Sequence, residues 1–313
     1  MQSGIPGKNY VLLAVTVLIW GTNWPVMKLA LEHLSPLWLA TARFGSAAAI
    51  GFVVLGALGR MRLPNRQEWP LVLGVGLLQM ALFSALALWA LQYVAPGRAS
   101  VIAYATSIWV IPLSALLLKE RISRSQWIAA GLCALGIACL IAPVLNGWAE
   151  RTLLGILMLL GASLSWAINI IQLRAGRAVK LGAEMVPWQT AVATIPLLIL
   201  ASVIEGAPSG FDRVEVWPLL FYIGPIATAL TFIVILDATQ TLPPAATSIS
   251  MLSVPIIGLC LSTAAFGERF SADLASGLTL IAAGVLVTVL TPMWRRSTYR
   301  RPALAAATQR ATA

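Results

Sequence analysis

Two short stretches decide the fold: Trp20-Gly-Thr-Asn23 and Trp166-Ala-Ile-Asn169, which stand 146 positions apart. Two further pairs keep step with them. Gln92-x-x-x-Pro96 is answered by Gln240-x-x-x-Pro244, and Lys119-Glu120-Arg121 by Gly267-Glu268-Arg269, each at a distance of 148. The chain therefore reads as two similar halves, and a repeat of this length has to be recognised before any fold is assigned. In a membrane protein such a duplication points to a transporter whose site lies between the halves.

Composition supplies the membrane. Of 313 residues 59% are hydrophobic and 10% charged, against roughly 25% charged in soluble domains. A net charge of +10 carried on so few ionised groups does not make a nucleic-acid binder. Cys133, Cys139 and Cys260 lie in apolar runs without paired spacing and read as packing residues. His33 is the only histidine, which argues against a histidine metal site or a catalytic triad. No phosphate-binding lysine loop or dinucleotide glycine fingerprint occurs, so no cofactor or metal is expected.

A spanning helix needs about 20 mostly apolar residues. The breakers place ten spans, near 10–31, 36–59, 69–94, 97–118, 124–143, 152–173, 185–204, 217–240, 244–265 and 271–292. Continuous apolar runs exclude a barrel, which would alternate, and lipid requires helices because it offers backbone groups no water. With the N-terminus inside, fifteen of the 21 Lys and Arg fall in inner segments and four in outer ones. This bias places both termini in the cytoplasm. Five spans per half is odd, so the second half enters the membrane inverted. The expected organisation is a first repeat over 8–143, a second over 152–292, and a basic tail over 293–313 that contacts lipid.

This layout, with Trp-x-x-Asn in the first span of each half and a Glu-Arg step before the last, resembles the drug/metabolite transporter superfamily. Each half is similar to an EamA domain, and the match covers about 8–292. Within that superfamily the chain looks closest to the aromatic-amino-acid exporters of the YddG type. The resemblance implies an all-α basket of ten helices, two inverted five-helix repeats around a central cavity, in a bacterial inner membrane. It implies export of amino acids and similar metabolites from the cytoplasm, and ring-lined cavity positions at Trp20, Phe83, Tyr104 and Trp166. Where the branch carries tyrosine at the position of Phe83, this chain loses one hydroxyl.

The residues themselves support a smaller set of statements. Trp20, Asn23 and Met27 share one helix face, with Trp24 at its edge; Trp166, Asn169 and Leu173 share another. A mid-membrane asparagine has to face a partner. Asn23 and Asn169 therefore either bond between helices or line a cavity and bind a solute's polar groups. An indole beside each amide suits a ligand with an apolar body and a polar end. Gln79 and Phe83 are one turn apart in the third span, and Tyr104 lies too deep for an interfacial belt; each either lines the cavity or packs. Lys28 reads as snorkelling, and Arg43 as pairing with Glu32 or with a carboxylate entering the cavity. Asp237, the one carboxylate inside a span, is the candidate for proton coupling, against a plain bond to a neighbouring helix. Glu120 and Glu268 are expected to serve helix ends. Gly45 with Ala49, Gly131 with Gly136 and Gly277 with Gly284 are expected at close helix crossings.

The function expected is export of aromatic or other neutral amino acids by alternating access. Its partners are a small-molecule substrate and the lipid bilayer, and a monomer is compatible with it. Export of other amphipathic metabolites or drugs is the alternative within the class. A lipid-modifying membrane enzyme is disfavoured by the scattered carboxylates and single histidine.

Overall fold

The computed structural model describes residues 6–146, 150–176, 178–239, 242 and 244–287; the tail read from 293 and the side chain of Asp237 lie outside what is described. All regular structure among these residues is helical. In chain order the helices are α1 (Pro6–Ala30), α2 (Pro36–Ala57), α3 (Trp69–Ala90), α4 (Pro96–Leu117), α5 (Arg124–Asn146), α6 (Glu150–Ala175), α7 (Ala183–Glu205), α8 (Val216–Leu236), α9 (Pro244–Phe266) and α10 (Ala272–Val287). Eight are long and apolar enough to cross a membrane; Ser250–Phe266 of α9 and α10 are shorter apolar stretches.

Helix boundaries follow the breakers. Proline stands in the first turn of α2 and α4, where its missing N–H costs nothing. The next amides still need acceptors, and each helix borrows a carboxylate from another part of the bundle. Glu205, ending α7, accepts from the amides of Leu37 and Trp38 at 3.0–3.1 Å and from Ser35 Oγ at 2.5 Å. Glu268, between α9 and α10, accepts from the amides of Gly97 and Arg98, each at 3.0 Å, and from Ser262 Oγ. A carboxylate at a helix N-terminus satisfies orphan donors and complements the helix dipole. Arg98 adds a 2.6 Å ion pair to Asp273 and a 2.9 Å bond to Leu140 O. At the same end Lys28 Nζ donates to Leu91 O at 2.5 Å, capping α3.

These contacts gather the ends of α1, α3, α7 and α9 with the starts of α2, α4 and α10 at one acid-rich end of the bundle. The arginine-rich end is braced differently. Arg62 bonds Glu68 at 2.6 Å and Glu184 at 2.9 Å, and its carbonyl accepts from Trp188 Nε1. The Arg62 guanidinium holds the Glu68 carboxyl below the usual carboxylate range. This contribution is complete above the ordinary carboxylate pKa and is lost as pH falls through the depressed value.

Several features interrupt the plain helices, among them a π-helical end of α7 over Ala201–Glu205 that has no counterpart in the first half. Val75–Leu82 in α3 and Tyr222–Leu230 in α8 are wound as π-helix, the latter around Pro225. Their starts lie 147 positions apart and their ends 148, so the irregularity itself is repeated. In α4 the helix stops at Ala103 and resumes at Ser107. Its first half packs on α9 and α6, while its second half leaves α9 for α5 and stays on α6, tied by Trp109 Nε1 to Ser163 Oγ at 2.9 Å. The continuous span expected over 97–118 is thus two half-helices. Non-helical backbone at this depth is tolerated only where protein or a cavity surrounds it.

Small residues set one crossing. A Cβ on Gly136 of α5 would stand 2.8 Å from Gly277 O of α10, and one on Gly284 would stand 2.7 Å from Ala129 O. Gly131 faces open space and Gly45 meets nothing closer than 3.5 Å, so those two are not close-contact positions. Gly136→Ala is expected to cost about 1–2 kcal/mol by overpacking, seen as a lower inactivation temperature in detergent, whereas Gly131→Ala should be neutral. Identical behaviour of the two would remove the crossing from this account.

Candidate functional site

A cavity of about 90 Å³, measured as space open to the centre of a water molecule, lies in the middle of the bundle between the two halves. One water needs roughly 10–15 Å³ on that measure, so the space holds several waters or a small organic molecule. Two aromatic walls face it, and a polar strip closes one side.

The first wall is Trp20 and Phe232, with ring centroids 5.3 Å apart. Trp20 Nε1 donates to Ala227 O at 3.1 Å and Thr231 Oγ1 at 3.0 Å, which anchors the indole on α8. The second wall is Trp166 with Phe83 and Tyr104, each 5.5 Å from it and edge-on. The indole nitrogen of Trp166 has no hydrogen-bond partner among the described residues. Tyr104 sits at the interruption of α4, which delivers its ring to α6. Trp24, Phe44 and Met80 are buried and complete the apolar lining, with Gln79 and Ser84 as polar points from α3.

The polar strip is Asn23, Met27 and Arg43. Met27 Sδ lies 3.5 Å from Asn23 Nδ2 and 3.3 Å from Arg43 Nη1. Asn23 is 5% exposed and its Oδ1 has no partner. Arg43 Nε donates to Thr228 Oγ1 at 2.9 Å, and the guanidinium carbon lies 5.1 Å from the Phe44 ring centroid. Thr228 is held for this by its own bond to Ile223 O, five residues back, a reach set by the π-helical winding of α8. No ion pair joins Arg43 to Glu32 or to any other acid among the described residues.

Of the residues expected at the site, Trp20, Asn23, Trp24, Gln79, Phe83, Tyr104 and Trp166 line this cavity. Asn169 stands behind the wall rather than on it. It is wholly buried, and its Nδ2 donates to Gln79 Oε1 at 2.7 Å. It thus bonds between helices to Gln79, a cavity residue, and is not itself part of the lining. Position explains the difference from Asn23. Counting 148 from Gln79 gives Ala227, whose side chain can offer no acceptor, so Asn23 Nδ2 rests on Met27 Sδ where Asn169 Nδ2 has an amide, and the Oδ1 of each is without a partner. The same count pairs Phe83 with Thr231. Trp166 accordingly meets a ring where Trp20 meets a hydroxyl. Met27, Arg43, Phe44, Met80, Ser84 and Phe232 complete the lining; of these, Arg43 reads from sequence as pairing with Glu32 or with a carboxylate entering the cavity, and the others are not singled out there as binding residues. Arg43 alone carried a signal, being a cation in an apolar span. The coupling candidate Asp237 has its helix described but not its side chain.

An all-helical chain rich in membrane-length apolar helices, with an amphipathic cavity between its halves, has the build of a multi-pass membrane transporter. The chain belongs to the EamA-like transporter family, whose pattern it matches twice, over residues 7–142 and 153–290. It is 29% identical over 295 residues to the "Probable amino-acid metabolite efflux pump" of Salmonella typhimurium, covering 90% of this chain and 95% of that one. It is 27% identical over 303 residues to the protein of the same name in Escherichia coli, covering 93% and 97%. A solved crystal structure superposes with a TM-score of 0.63 over 92% of this chain and 97% of its own, at 19% identity, and shares the fold.

Proposed function

We propose that the protein exports small amphipathic organic solutes, foremost aromatic and other neutral amino acids, by alternating access. In this reading ten spans form two five-helix halves, 8–143 and 152–292, inserted in opposite senses in a bacterial inner membrane with both termini cytoplasmic. The charge bias between the two ends supports that orientation, and the repeated π segments support equivalence of the halves. The observation that carries the function is a cavity between the halves with aromatic walls and polar groups that lack protein partners. The amino-acid efflux named for the two relatives points the same way.

With the acid-rich end outside, the Glu205 and Glu268 caps close the outer side. On the opposite side the second half of α4 leaves α9 and packs on α5 and α6, and in this reading the conformation is closed outward. The described lining contains no carboxylate and no imidazole, which favours downhill export over proton antiport. Moving a charge through the membrane field is worth about 2.3 kcal/mol per 100 mV, so a real coupling group would show clearly. Reconstituted protein is expected to catalyse saturable counterflow of labelled aromatic amino acids. An imposed pH gradient alone should not concentrate them, and Asp237→Asn should keep substantial transport. Absence of counterflow for every amino acid in a full panel would sink the export reading. Accumulation driven by the pH gradient and abolished in Asp237→Asn would make the protein an antiporter.

A further inference from the structure

We infer that Arg43 and Asn23 form an anion-and-amine subsite, so that the transported solute carries a carboxylate at Arg43 and an N–H donor at Asn23. This rests on the cavity being the transport site and deepens that reading by naming what the polar end of the solute must be. A guanidinium has five N–H donors. In Arg43 the acceptors among the described residues are one hydroxyl, Thr228 Oγ1, and one thioether, Met27 Sδ, a weak acceptor. A cation at membrane depth is paired or marks a solute pathway, and Arg43 faces the cavity without an acid. A carboxylate is the group whose two oxygens match the guanidinium fork.

Asn23 is the second, independent observation. Its amide is more than nine-tenths buried, lines the same cavity and leaves one end unsatisfied. The assignment is fixed by Met27 Sδ, which only accepts, so the NH2 faces the sulfur and the oxygen is the end left free. Its Nδ2 and Arg43 Nη1 both lie against Met27 Sδ, at 3.5 and 3.3 Å, so the two groups are neighbours. A carboxylate and an ammonium on one carbon suit two polar groups that share a neighbour, and the aromatic walls line the rest of the same cavity. The solute this geometry selects is an α-amino acid with an apolar or aromatic side chain. Amines without a carboxylate keep the Asn23 contact but meet the unpaired positive charge of Arg43 and are disfavoured.

Three probes of one skeleton separate the parts: L-phenylalanine, 3-phenylpropanoate and 2-phenylethylamine, titrated by tryptophan fluorescence against reconstituted protein. Wild type is expected to bind L-phenylalanine tightest, then 3-phenylpropanoate, with 2-phenylethylamine weakest. Arg43→Gln should weaken both carboxylates on the order of tenfold to a hundredfold and leave 2-phenylethylamine unchanged or tighter. Arg43→Lys should recover part of the loss. Asn23→Leu should weaken L-phenylalanine and spare 3-phenylpropanoate. Equal affinity of wild type for all three probes, failure of the carboxylate probes to bind, or full retention of carboxylate affinity in Arg43→Gln overturns the subsite. Should Arg43→Gln not fold, the wild-type ranking alone decides. Counterflow by the wild-type protein judges the transport reading separately, and it can succeed while the subsite fails.

Discussion

Trp166→Ala is expected to weaken the apparent affinity for aromatic solutes by about ten- to a hundredfold, while folded protein is still recovered from the membrane. Trp166 is the hub of the second wall, with Phe83 and Tyr104 both resting on its edges at 5.5 Å. Losing an indole's burial and stacking against a bound ring costs about 1–3 kcal/mol, and 1.4 kcal/mol is a decade in affinity. Removing it also frees the two flanking rings, so the remaining wall loses shape as well as area. Trp166→Phe should recover most of the effect, since it keeps a ring between the same neighbours. The concentration dependence of counterflow measures this, with size-exclusion chromatography as the check on folding. The matched variant on the other wall is Trp20→Phe, because alanine there would also strip the bonds to Ala227 O and Thr231 Oγ1. Unchanged half-saturation in Trp166→Ala would place the solute elsewhere.

Much of this arrangement is readable from the chain because hydropathy and repetition are strong signals. Lipid forces each apolar run into a helix, and the prolines at 36, 96 and 244 mark where helices begin. The Trp-x-x-Asn pair brought both indoles to the cavity. It could not separate Asn23 from Asn169, because their environments are set by residues 79 and 227, and only one of those is an amide. A motif repeated in sequence thus has two outcomes when its surroundings are not repeated. The π segments and the break at Tyr104 escape a reading by periodicity, since the local sequence remains uniformly apolar through them and long-range packing decides the winding. Arg43 was readable as an anomaly. That it lacks an acid required knowing that Glu32, eleven residues earlier, does not turn back to meet it. The carboxylate caps were half readable: the Glu268-Arg269 step announced helix-end charge, but the helix it serves begins about 170 residues away in sequence, and Glu205 gave no such signal.

Those caps carry the second large effect. Glu268→Ala removes the acceptor of two amides in the first turn of α4 and of Ser262 Oγ. Each buried donor left unsatisfied costs about 1–3 kcal/mol, so the end it braces should open by one or more decades in population. Ser100, one turn below the capped amides, is wholly buried against Pro255 O and serves as reporter. With the three native cysteines replaced, Ser100→Cys should react with an impermeant thiol reagent more than tenfold faster in the Glu268→Ala background. The repeat supplies the control. Lys119 and Gly267 both adopt positive φ, 53° and 63°, turning the chain so that Glu120 and Glu268 follow alike. Ser114 precedes Glu120 by the same six residues that separate Ser262 from Glu268. Here Glu120 lies 3.5 Å from Arg174, and Ser114 Oγ also accepts from Arg174. If the two acids brace opposite ends of one rocking bundle, Glu120→Ala should slow labelling of Ser100→Cys instead of speeding it. Acceleration by both substitutions would mean general loosening, and no change with Glu268→Ala would mean that packing alone keeps this end shut.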